Sequence, residues 1–163
     1  MNGKEAVRSS MDLSNHVLDA YIADLSESEM MERPGAGCNH LTWQLGHLIA
    51  SQADILNALA AGSAPDLPAG FREKYTKTTA GGNDPSAFHS KAELVDLLAK
   101  QRAAARAELE KLKDEDFDKP APEAFRRMFP TAGHLWLLIA THPMMHAGQF
   151  VPVRRMLGKP IVI

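Results

Sequence analysis

Residues 90–113 read SKAELVDLLAKQRAAARAELEKLK. Leu94, Leu97, Leu98, Ala105, Leu109 and Leu112 return at helical spacing and gather on one face, with charged residues opposite. Ser90 and Glu93 have the spacing of a capping box, in which each side chain satisfies the other's backbone amide. The Ala103-Ala104-Ala105 run raises helix propensity, and Asp96 with Lys100 adds an i,i+4 pair. The stretch predicts a helix over 91–113.

The same period recurs three times. Over 7–25, Val7, Met11, Ser14, Leu18, Ile22 and Leu25 share a face and His16 falls opposite. Over 41–60 the stripe is Leu41, Leu45, Leu48, Ile55 and Leu59, with Asn39 or Thr42 as cap. The last segment, 132–157, follows Pro130 and a cap at Thr131. No segment sustains the period-two alternation of a strand, so the expected class is all-α. The connection over 61–89, rich in Gly, Pro and Ala, is long enough to carry the chain back along a bundle. Two helical hairpins joined by that crossover give a single four-helix-bundle domain over 1–163, running up-down-down-up. A short extra helix or a lid within 62–89 is the alternative.

Composition narrows the function. Hydrophobic residues make up 45% and charged residues 23% of 163, so the chain can bury a core. A net charge of -2 excludes a strongly basic nucleic-acid footprint. The longest apolar run, 135–140, is far short of the roughly 20 residues that span a bilayer. No apolar segment follows the first residues as a secretion signal would require, and the one cysteine, Cys38, leaves no internal disulfide. The expected compartment is the cytoplasm, with a small-molecule partner and neither nucleic acid nor membrane.

The seven histidines carry the chemistry. His142 and His146 stand four apart, about 6 Å along a helix and on one face, where they can share a metal ion. The plainer reading is two helix histidines bonded to water or neighbours. The motif is not H-E-x-x-H, because Pro143 stands where that motif's glutamate would be. A third ligand has to come from another helix. His47, flanked on its face by Trp43, Ala50, Ser51 and Asp54, is the best candidate. His134 is about 12 Å from His142 along the helix and cannot join both on one ion. His40, near a helix start, and His16 and His89 are expected on the surface or in loops.

Two stretches resemble a known family. Cys38-Asn39-His40-Leu41-Thr42-Trp43-Gln44-Leu45-Gly46-His47-Leu48 resembles the second-helix motif of the DinB superfamily. Thr141-His142-Pro143-Met144-Met145-His146-Ala147-Gly148-Gln149, continuing to Arg154-Arg155-Met156-Leu157-Gly158-Lys159-Pro160, resembles its fourth-helix motif. The acidic turns before Pro34 and Pro120 fit as well. The resemblance implies a four-helix bundle and a divalent metal ion (nickel, zinc or iron) held by three histidines, which here are His47, His142 and His146. It also implies a homodimer, to which the Met-rich segment 144–156 would contribute apolar surface. Pro143 departs from the family, whose members often carry an acidic or small residue there. Relatives include thiol-dependent transferases and an isomerase using low-molecular-weight thiols.

Other residues carry two readings each. Gln149 is placed to orient His146 or a bound water, or is a glutamine bonded to backbone. Asp54 is placed to bond a substrate, or is solvated at a pocket mouth. Cys38 is either near the open metal position or a small residue at a helix start. Trp43 and Trp136 read as core. Arg126-Arg127 and Arg154-Arg155 are able to grip an anion but equally form a solvated surface. No Asp or Glu sits beside His142 or His146 as a base, which favours thiol transfer onto a small electrophile. A metal-dependent hydrolase, and a non-catalytic metal-binding or structural protein, are the competing readings.

Overall fold

The computed structural model describes residues 1–161. Four long helices carry the core: α1 (Gly3–Ile22), α2 (Leu41–Leu59), α4 (Lys91–Lys111) and α6 (Ala132–Met156). Two single turns, α3 (Phe71–Lys74) and α5 (Glu123–Arg126), lie in the connections. Among the described residues there is no named strand, and no helix is long and apolar enough to cross a membrane.

Contacts between distant residues set the helix directions. Arg8 pairs with Glu110 at 2.7 Å and Arg102 with Asp19 at 2.6 Å, while Lys91 Nζ donates to the Leu25 carbonyl at 2.6 Å. The start of α1 therefore lies at the end of α4. Gly3 and Val7 share a groove with His134 and Leu137, and Arg154 donates to the Tyr21 carbonyl at 2.9 Å, so α1 runs with α6. Gln44 meets His146 and Ile55 faces Leu138 across a cavity, so α2 opposes α6. Along the chain the long helices run up, down, down, up.

The core divides along the bundle into two apolar clusters. One joins Leu18, Leu45, Ile49, Leu98 and Phe150; the other joins Met11, Leu56, Leu109, Leu135 and Ile139. Burying these side chains, each worth about 1.5–3 kcal/mol, sets the helix faces inferred from periodicity.

Helix ends differ from expectation where the cap is unusual. α1 starts at Gly3 rather than residue 7, because Asn2 and Glu5 form a reciprocal capping box. The cap of α2 is neither Asn39 nor Thr42. His40 Nδ1 accepts from the Trp43 amide at 3.0 Å, and His40 is fully buried, not exposed. Thr42 instead donates to the Met30 carbonyl. At α6 the Thr131 side chain makes no capping bond and pairs with His134.

The crossover holds the short helix that was the alternative to a plain loop. Gly70 starts it in the left-handed region, and Phe71 and Tyr75 anchor it at 1% and 4% exposure. Tyr75 lies against α2 at Gly46, where a Cβ would stand 2.1 Å from the ring. Gly46→Ala gains about 1 kcal/mol of helix propensity, but overpacking of this order costs about 1–3 kcal/mol. Lower stability is the expected net result, read as a reduced urea midpoint at unchanged slope. A raised midpoint would mean that Tyr75 does not seat on α2.

Candidate metal centre

α2 and α6 cross where the two apolar clusters meet, and there they present His47, His142 and His146. One ring nitrogen from each lies within 4.8 Å of the other two, a grouping that could hold a metal ion. His142 Nε2 and His146 Nε2 are 3.2 Å apart. Two nitrogens bound to one ion at about 2.0–2.1 Å stand about 2.8–3.4 Å apart for right-angled to tetrahedral geometry. The pair fits that spacing as it stands. The His47 ring centroid lies 5.3 Å from that of His142 and 5.5 Å from that of His146.

The orientation of His146 follows from one buried side chain. Gln44, fully buried, donates from Nε2 to the Asn39 carbonyl at 2.8 Å. That bond turns its Oε1 toward His146 Nδ1, 2.9 Å away. A carbonyl oxygen only accepts, so Nδ1 carries the proton and the lone pair on Nε2 faces the cluster. His47 is positioned differently. Trp43 stacks on its ring at 5.2 Å and 7°, and the indole N–H is held by the Thr76 carbonyl and Thr79 Oγ1, both at 3.2 Å.

All three imidazoles are poised to be neutral at pH 7, as metal binding requires. Burial lowers His47; burial, then repulsion from His47, pushes His142 down to about 4. Burial, with repulsion from His142 and His47, pushes His146 to about 3.

A cavity of about 410 Å³ reaches the cluster at His47. Ile55, Phe125 and Leu138 form apolar walls, and Ser51, Asp54, Arg72, Tyr75 and Thr76 supply polar groups. A site open to a cavity is the arrangement of catalytic rather than sealed structural metal sites.

The remaining candidates fall elsewhere. Gln149 is exposed, so the side chain that orients His146 is Gln44, from the facing helix. Asp54 does line the cavity, held by Arg72 at 2.8 Å. Cys38 stands outside the histidine cluster. Trp136 and Trp43 are both core, and Trp43 is also the wall behind His47. Arg154 grips no ligand: it is 1% exposed, bonded to Asp24 and to the Tyr21 and Pro160 carbonyls. Arg126 donates to the Ala121 carbonyl. His134 bonds Thr131 at the surface. The sequence reading passed over Gln44, Arg72 and Tyr75. Only Gln44 left a signal, as a polar residue inside the apolar first turns of α2.

The family model of the DinB superfamily matches residues 11–150, most of the chain. The chain belongs to the DinB superfamily. A crystal structure of a conserved protein from Enterococcus faecalis is similar over 98% of this chain and 99% of that one, with a TM-score of 0.69 and 19% identity. That likeness is one of fold. No curated protein matches the sequence.

The depressed imidazoles set a pH dependence. In the unfolded chain histidines protonate near pH 6.5, whereas in the fold His142 resists to about 4 and His146 to about 3. His40 also resists to about 4, through burial and then the charge of Arg33. Between those values the unfolded state binds more protons, so stability falls as pH falls. Urea unfolding of the metal-free protein is expected to show no slope from these groups above pH 7 and a steady loss from about 6.5 to 4. His40→Asn, which keeps a capping side chain but cannot titrate, should flatten part of that loss. Equal stability at pH 7 and pH 5 would mean that protons reach these rings in the folded state.

Proposed function

We propose that this member of the DinB superfamily binds one divalent metal ion through His47, His142 and His146 and is a metal-dependent enzyme acting on a small molecule. The supporting observation is the convergence of three neutral imidazoles from two helices at the end of an open cavity, with one of them locked in the ligating tautomer by Gln44. Nickel, zinc and iron all suit an all-imidazole set, and ligand softness does not choose among them.

Transfer of a low-molecular-weight thiol onto an electrophile is the reaction that this site suits best. A divalent ion in this position supplies Lewis acidity, which lets a thiol act as thiolate at neutral pH. The chain's own groups do the rest. Gln44 holds the Nδ1 proton of His146, Trp43 fixes the plane of His47, and the walls Ile55, Phe125 and Leu138 exclude water from the electrophile. Among the described residues the only carboxylate lining the cavity is Asp54, and Arg72 engages one of its oxygens, which weighs against a hydrolase needing a free general base. We place the chain as a homodimer, on the exposed Leu137, Met145 and Met156 of α6. Light scattering is expected to give twice 17.8 kDa, and a monomer at micromolar concentration would contradict it.

Metal content of untagged protein tests the site. The parent is expected to retain about one equivalent, and His142→Ala and His146→Ala to lose it. Gln44→Leu should bind about 10–100-fold more weakly while still folding. Equal metal in all four would remove the assignment. Metal-replete protein is then assayed with several small thiols and an activated haloarene. Rates no higher than those of metal-free protein with every thiol would eliminate the transferase and leave a hydrolase or a binding protein.

A further inference from the structure

The cavity that reaches His47 is also lined by Arg72, whose guanidinium has one edge taken by Asp54 and the other open. Arg72 sits on α3, whose flanking residues Phe71 and Tyr75 are both buried. The Tyr75 hydroxyl accepts from the His89 amide at 3.1 Å and pairs with His89 Nδ1 at 2.9 Å. The backbone that bears Arg72 is therefore pinned at both sides, which is how a scaffold places a recognition group.

Arg72 Nε and one Nη both reach the same oxygen of Asp54, each at 2.8 Å. Asp54 thus occupies the side edge of the guanidinium. Among the described residues, the second Nη has no protein partner, and neither has the other Asp54 oxygen. The end-on edge, like the side edge, has two parallel N–H groups that match a planar carboxylate bidentately. Arg72 lines a cavity that also has apolar wall at Ile55, Phe125 and Leu138.

We propose that the cavity selects small amphipathic carboxylates, with the carboxylate taken by Arg72 and the apolar body lying along Ile55 and Leu138. The assignment rests on the reading of this cavity as the substrate site and names the class of substrate it takes. Asp54 is a positioning residue: it fixes the guanidinium plane while the free edge receives the ligand.

Hexanoate, hexanol and hexylamine are compared as probes by calorimetry, on the protein as purified and after chelation. Hexanoate is expected to bind most tightly in both forms. Arg72→Gln should weaken it about tenfold and leave hexanol within about twofold. Lys77→Gln, which removes an exposed positive charge from outside the cavity lining, should change neither. Asp54→Asn should weaken hexanoate less than Arg72→Gln does. Equal binding of hexanoate and hexanol, a preference for hexylamine, or hexanoate binding indifferent to Arg72→Gln would each overturn the proposal. Arg72-dependent binding by a protein that carries no metal as purified would defeat the metal reading and leave this one standing. Normal metal content without carboxylate preference would do the reverse.

Discussion

An imidazole placed inside a helical bundle must find partners there, because an unpaired buried polar group costs about 1–3 kcal/mol. His146, at 6% exposure, meets that demand through Gln44 on one ring nitrogen and His142 on the other. The Gln44 bond is short-range but acts on the whole bundle. It couples a residue near the start of α2 to one beyond the middle of α6, so it fixes the register of two antiparallel helices at one level. Given that register, His47, one turn after Gln44, faces His142, one turn before His146. The cluster is thus a consequence of one locked pair, and sliding either helix by a turn would break both.

Much of this could be read in the sequence because apolar periodicity reports burial directly. The stripes at Val7, Met11 and Leu18 and at Leu94, Leu98 and Leu109 are buried in the structure. Helix ends were less legible where a cap lay outside the stripe. Asn2 precedes the first apolar residue of α1 by a full turn, and histidine is not among the usual capping residues, so His40 read as a surface group. The misplaced Gln149 illustrates a limit of helical projection. It lies on the same helix as His146 and roughly on its face, but three residues on it reaches solvent. The partner that counts comes from another helix, at a register that projection does not supply.

The crossover was the least legible part. Its sequence has no period, and its position depends on pairings such as Tyr75 over Gly46 and Trp43 with Thr76 and Thr79. Each half of such a pair is unremarkable in isolation: a glycine in a helix reads as a small cost in propensity. Only the seated tyrosine turns it into a requirement. Arg72 inherits its place from that seating and was not open to sequence reasoning, whereas the α2 side of the cavity, at His47, Ser51 and Asp54, was.

Burial sets two properties of the histidine cluster in opposition. It keeps the rings neutral, and so ready to ligate, well below the pH at which free imidazole is protonated. It also removes them from water, so their lone pairs have few partners. Among the described residues, His47 makes ring contacts with Trp43, His142 and His146 but no hydrogen bond to protein. If His146 carries its proton on Nδ1, only one proton, on His142, can bridge the 3.2 Å between the two Nε2 atoms. His146 Nε2 then accepts from His142, and among the described residues His47 alone of the three has no hydrogen bond to protein. The three nitrogens lie close enough together that one metal ion could take all three, and the cavity meets the cluster on the His47 side.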